Sequence, residues 1–181
     1  MAQHNHPIET LVETITYKGV EFEVVERPDV LWVGCVDYAK NNTDESDIGT
    51  TLKRYREELI NVIKQDLINP DYSAALSINY NYDEQPCGIM FAQETYSDKQ
   101  DERYDLFTQP GGLWLRIAVT KETDAALLGR DNHGLYEYFG KLSNAAKENG
   151  YKQNREIRVE VEYNCHAGTS SSYAYIPIIK G

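Results

Sequence analysis

Apolar and polar positions along this chain change period several times, and each change marks an element. Short runs rich in β-branched and aromatic residues, Leu31 to Val36 and Leu113 to Val119, predict strands. Leu52, Tyr55, Leu59, Ile60, Val62 and Ile63 then recur at helical spacing and predict a helix from about Gly49 to Asp66, with Asp44, Ser46 and Asp47 as candidate caps. Leu135, Tyr138, Phe139, Leu142 and Ala146 predict a second helix between about Asn132 and Glu148, stopped by Asn149-Gly150. Further strands are predicted over Gly88 to Glu94, Glu156 to Asn164 and Ser172 to Ile179, with an early strand near Ile15 to Val24.

The pattern occurs twice. Pro28-Asp29-Val30-Leu31-Trp32-Val33 matches Pro110-Gly111-Gly112-Leu113-Trp114-Leu115, an offset of 82 that pairs the chain's 2 tryptophans. Tyr80-Asn81 and Tyr163-Asn164, offset by 83, follow the two helices in the same way. The expected fold is therefore α+β. A strand-helix-strand-strand module is duplicated, giving an antiparallel sheet with two helices on one face and a pseudo-two-fold ligand groove on the other. Residues 1–18 form an N-terminal extension, 19–181 a single domain, and the halves run from about 20 to 96 and 104 to 180, with 97–103 as linker.

Strand alternation assigns faces. Leu113, Leu115, Ile117 and Val119 should meet the helices, as should Leu31, Val33 and Cys35, which turns Trp32, Trp114 and Arg116 to the other side. In the strand Glu156 to Asn164, the row Ile157, Val159, Val161, Tyr163 is expected to face the helices. That puts Glu160 and Glu162 on the same face as the two indoles. Exposed indoles are costly, so that face is expected to curve into a groove.

Charge and cysteine content narrow the function classes. A net charge of −11 without any basic run argues against a phosphate-binding or anionic-membrane surface. Cys35, Cys87 and Cys165 have neither disulfide parity nor metal spacing, and point to a reducing, cytoplasmic setting. No stretch approaches the ~18 apolar residues of a membrane span, and the start of the chain has no leader pattern. His4 and His6 lie in an expected loose tail. Cys165-His166 is not ligand spacing, so no metal or cofactor is expected. Ser170 to Ser172 lack a nucleophile-elbow context, and Gly111-Gly112 opens a strand rather than a phosphate loop. The 14 tyrosines suit a wet, ligand-lined cavity.

Three short motifs, in order, carry a family resemblance. Gly112-Leu113-Trp114 is similar to a G-x-Y strand start, and His133-Gly134-Leu135-Tyr136 to an H-x-G-P-Y helix entry. Tyr173-Ala174-Tyr175-Ile176-Pro177-Ile178 is similar to an E-I-Y-I-P-V ending. From about Val20 to Lys180 the chain resembles the GyrI-like effector-binding domains of the SOUL/GyrI-like superfamily. These occur alone and as ligand-binding parts of bacterial AraC-type and MerR-type multidrug-responsive regulators. The resemblance implies a glutamate, here Glu160, facing an aromatic-lined cavity, with Tyr136, Tyr173 and Tyr175 among the lining residues. Position 173 departs from the family's usual glutamate, and Glu162 is the candidate to replace that charge.

The reading is a stand-alone binding module for small hydrophobic, cationic aromatic compounds, acting by sequestration or sensing. Glu160, Trp32, Trp114, Tyr136, Tyr175, Tyr173 and Glu162 are its candidate ligand-binding residues. About 20 leading residues are too few for a helix-turn-helix, so no direct nucleic-acid binding is expected. Two alternatives are a hydrolase of electrophilic cyclopropane-bearing compounds with Glu160 as general base, and a gyrase-modulating protein-interaction module.

Overall fold

Both tryptophan-bearing runs form strands of one sheet in the computed structural model, which describes residues 6–38, 46–79, 88–163 and 172–181. Among these residues, ten strands occur in chain order: β1 (Thr10–Tyr17), β2 (Val20–Arg27), β3 (Val30–Tyr38), β4 (Ala74–Ile78), β5 (Gly88–Thr95), β6 (Asp105–Gln109), β7 (Gly112–Val119), β8 (Tyr151–Gln153), β9 (Val159–Tyr163) and β10 (Ser172–Lys180). The helices are α1 (Ser46–Arg54), continued by a π-helical turn Tyr55–Leu59, then α2 (Lys121–Leu127) and α3 (Phe139–Glu148), the last entered through a 3-10 turn Leu135–Tyr138. The fold is α+β, as the hydrophobic pattern predicts.

Several local expectations are corrected. The early strand is a hairpin, β1 and β2, turning at Lys18 and Gly19, which both have positive φ. The first helix stops at Leu59, and Ile60 and Ile63 are exposed. β6, β8 and α2 are additional elements. α2 is fixed at its start by Thr120 and Thr123, each side chain hydrogen-bonding the other's backbone amide. Asp44, Tyr80-Asn81, Asn164, Cys87, Cys165 and His4 lie outside the described residues. His6 is not in a loose tail but buried in the core.

The strands order as β1-β2-β7-β10-β9-β4-β5-β3-β6, with β8 beside β10, and all pairings are antiparallel. The trio β7-β10-β9 thus faces its expected counterparts β4-β5-β3 in mirrored order. At the join Ser77 pairs directly with Glu160, two residues 83 apart.

This order forces the sheet to curl. β2 and β3 are joined by Pro28 and Asp29 alone, yet six strand steps separate them in the sheet, ~29 Å if flat. Three residue steps reach only ~11 Å. β6 and β7, joined by Pro110 and Gly111, are separated in the same way. The two links meet: the Gly111 amide donates to Asp29 Oδ1 at 2.7 Å, and a Cβ on Gly111 would lie 2.7 Å from the Arg27 carbonyl oxygen. Only glycine allows that approach.

Curling gives the sheet an enclosed inner face, packed with Val25, Trp32, Met90, Trp114, Val161, Tyr163, Tyr173 and Tyr175. Trp32 and Trp114 are fully buried there. Trp32 donates its indole N–H to Gln109 at 3.0 Å, whereas Trp114 Nε1 has no acceptor among the described residues. On the outer face, the helices pack over two separate apolar clusters. One joins β7 and β10 to α3 through Leu115, Ile117, Ile176, Leu142 and Ala146. The other joins β3 to the π-helical turn through Val33, Cys35 and Leu59.

Candidate functional site

Register decides which side chains share the seam between those two outer clusters. Ala75 pairs with both Phe91 and Glu162, and Glu162 pairs with Ala174, a member of the helix-covered cluster. Ser77 pairs with Ile89 and Glu160 one row along. Directly paired residues lie on one face of an antiparallel sheet. Glu160 and Glu162 therefore sit on the helix face, in the strip between the helices, ~7 Å apart along β9.

This reverses the expectation that Glu160 and Glu162 share a face with Trp32 and Trp114. The apolar row Val159, Val161 and Tyr163 packs with the indoles on the inner face. The assumption that an apolar row seeks helices fails because the curled inner face is the drier of the two. β9 runs down the uncovered strip, so its helix-side positions are the wetter ones. Tyr173 and Tyr175 are likewise buried on the inner face, apart from the carboxylates.

Tyr136 does join Glu160 and Glu162. It lies in the 3-10 turn leading into α3, its backbone amide donates to the Glu162 carboxylate, and its side chain is exposed. Gln153 of β8 donates to Glu160 Oε1 at 3.3 Å. Neither glutamate forms an ion pair with any described residue. Both are half-buried, with neutral donors as partners. Burial, joined by the neighbouring Glu160 charge, pushes the Glu162 carboxyl up to about 7, against the opposing pull of the Tyr136 amide. Burial also raises Glu160, with the Gln153 hydrogen bond acting the other way.

The wall on the side of the first helical layer is aromatic. Tyr55 meets Phe91 edge-on, with ring centroids 4.9 Å apart. Lys64 lies over the Tyr55 ring and donates to Tyr55 Oη at 2.8 Å and Gln93 Oε1 at 2.7 Å. Burial pushes its amine down to about 8. The hydrophobic pattern placed Tyr55 on a helix, but only strand register puts Phe91, Ser77 and Gln153 near the carboxylates.

A second polar cluster, not anticipated from sequence, lies on the inner face. Glu94 binds Arg27, His6 at 2.5 Å and Tyr163 Oη at 3.2 Å. Glu9 accepts from Tyr175 Oη at 2.9 Å and pairs with Arg27 and Arg116, and Arg116 also pairs with Glu23 at 2.6 Å. Burial alone would raise the Glu94 carboxyl; Arg27 and His6 outweigh it and hold it below the ordinary carboxylate value. The charges pair with one another, which marks the cluster as part of the core, although Arg27 Nε and Nη1 have no hydrogen-bond acceptor among the described residues. Among the described residues, no group of three His, Cys, Asp or Glu side chains is placed to hold a metal. No helix among them is long and apolar enough to cross a membrane.

No family model and no curated protein matches this chain. Solved structures do share its fold. An integron cassette protein from the mobile metagenome of Vibrio cholerae superposes with a TM-score of 0.53 at 14% identity, over 87% of this chain and 95% of that one. SAV2435, solved bound to tetraphenylphosphonium, gives 0.57 at 12% identity, over 88% and 94%. A bacterial transcription regulation protein from Staphylococcus aureus MU50, so described provisionally, gives 0.55 at 16% identity, over 90% and 100%. At these identities the likeness is one of fold.

Proposed function

We propose that this protein is a GyrI-like binding module for small hydrophobic, cationic aromatic compounds, held on the helix face over Glu160 and Glu162. One observation carries the reading: two half-buried carboxylates with neutral hydrogen-bond partners share a strip between two apolar clusters. A carboxylate pair so placed gains from a cation that brings its own apolar surface, because the ligand replaces water around both. Tyr136 and the Tyr55–Phe91 pair supply aromatic surface at the margins, and such contacts with a desolvated cation are worth ~0.5–2 kcal/mol each. The tetraphenylphosphonium bound by SAV2435 is a ligand of this type on a shared fold, which supports the reading. Sequestration and sensing both use the same site. Trp32, Trp114, Tyr173 and Tyr175 then act as the rigid inner core behind it.

Titration with rhodamine 6G tests the proposal. Wild type should bind, and Glu160→Gln, which keeps shape and removes charge, should bind about tenfold more weakly. Equal affinity in both proteins would overturn the charge-based site. A second reading is favoured by the elevated carboxyl of Glu162, which suits a general base near neutral pH. In it the same site hydrolyses an electrophilic cyclopropane, and mass detection of a product gaining one water, absent with Glu162→Gln, would decide for it.

A further inference from the structure

The two carboxylates are fixed on one line and at one spacing. Glu160 and Glu162 are alternate residues of β9, so their side chains leave the same face ~7 Å apart along the strand. Their hydrogen-bond donors stand on one flank: the Tyr136 amide of the 3-10 turn, and Gln153 of β8, a strand that pairs with β10. On the other flank the paired residues of β4 are small, Ala75 beside Glu162 and Ser77 beside Glu160. Beyond them β5 contributes Phe91 and Ile89, with Tyr55 edge-on to Phe91. The strip is therefore a slot parallel to β9, low along β4 and aromatic at its far wall, with a carboxylate at each of two points along its length. Arg158, just before β9, is exposed and forms no ion pair with either glutamate. A monocation lying in this slot answers one carboxylate and covers the other with apolar surface, where a charge without a counter-charge is costly.

Resting on the cation reading above, we propose that the ligand class is dicationic: a rigid, flat aromatic compound with a positive centre at each end, lying lengthwise along β9 with one centre over Glu160 and the other over Glu162. The ring system between the centres lies beside the Tyr55–Phe91 pair. Glu162 is then no duplicate of Glu160. Together the two acids select for the number of charges and for the distance between them, since a second positive centre placed one carboxylate spacing away leaves neither acid unanswered.

Three flat two-ring probes separate charge number from charge spacing in calorimetric titrations at about 0.15 M salt, where distant surface charge is screened. Methyl viologen carries its two charged nitrogens at opposite ends of linked rings. 1-Methyl-4-(4-methylphenyl)pyridinium keeps that outline with one charge, and diquat keeps both charges but holds them side by side. Wild type should bind methyl viologen about tenfold more tightly than either of the others. In Glu160→Gln and in Glu162→Gln, the advantage over the monocation should fall to about twofold or less. The inference is overturned if methyl viologen has no advantage in wild type, if diquat matches it, or if the advantage survives in either variant. Monocation binding that weakens in Glu160→Gln while methyl viologen gains nothing removes the dication and leaves the cation reading standing. Absence of binding by all three probes and by rhodamine 6G overturns both.

Discussion

Two glutamates of this chain are buried against opposite electrostatic surroundings, so their effects on stability have opposite signs. Glu94 is held below its ordinary value by Arg27 and His6, so it stabilises the fold above the unfolded-state value and loses that contribution as pH falls through the folded one. Glu162 is raised from 4.5 to about 7, chiefly by burial and then by Glu160. Between those two pH values the folded protein keeps a proton that the unfolded chain has released, so stability declines as pH rises through the window and levels off above it. Glu162→Gln removes the charge and with it the decline. The variant should match wild type near pH 4 and exceed it at pH 8 by up to about 2 kcal/mol, a figure reduced for the partial exposure of the site. Urea denaturation at the two pH values measures this, and a variant no more stable at pH 8 would mean that Glu162 is neutralised by a cation. The same titration bears on binding: rhodamine 6G affinity should climb from pH 6 to 8 in wild type and stay flat in Glu162→Gln.

At the scale of elements, the long central strands were legible, while β6, β8, the split of β1 from β2 and the helix ends were not. Period-two alternation placed β7 and β3 on the right faces because helices cover those strands directly. It misplaced β9 because alternation separates two faces without saying which is drier, and here the curled inner face is. The first helix shows the same limit: Ile60 and Ile63 continue its apolar pattern, yet the chain turns after Leu59. Tyr104, more than forty residues along the chain, terminates it by donating from its hydroxyl toward the Leu59 carbonyl at 3.1 Å and the Val62 carbonyl at 2.5 Å. The Val62 amide also donates to the Leu59 carbonyl at 2.9 Å, so the hydroxyl ties off the turn just past the helix end. Tyr104→Phe keeps the ring in its cluster and strips the hydroxyl, which should cost about 1–2 kcal/mol. Amide exchange should quicken first over Tyr55 to Val62. Unchanged stability and exchange would show that water serves those carbonyls equally well.

Closure of the sheet belongs to the whole molecule, and it follows from topology more than from any single strand. Two-residue links between strands six steps apart bring the sheet's ends together, and the space so enclosed must be filled, by two indoles, Tyr163 and Tyr175. The repeated tryptophans were visible in sequence, but their role was not, because the swapped positions of β2 and β6 leave no local trace. Nor did the leading segment announce itself. Glu9 precedes β1, yet its side chain is 2% exposed and stitches together Arg27 of β2, Arg116 of β7 and Tyr175 of β10. Arg116 keeps a second partner in Glu23, whose side chain is 24% exposed, so the two acids around one guanidinium differ in depth. Replacing the deep acid removes the carboxylate shared by both guanidiniums where water cannot take its place, while replacing the shallow one leaves a position that water can reach. Glu9→Gln should therefore lower stability by about 3 kcal/mol, and Glu23→Gln by less than about 1 kcal/mol. Equal losses in urea denaturation would mean that the leading segment decorates a closed sheet, and a large loss confined to Glu9→Gln that it helps to close it.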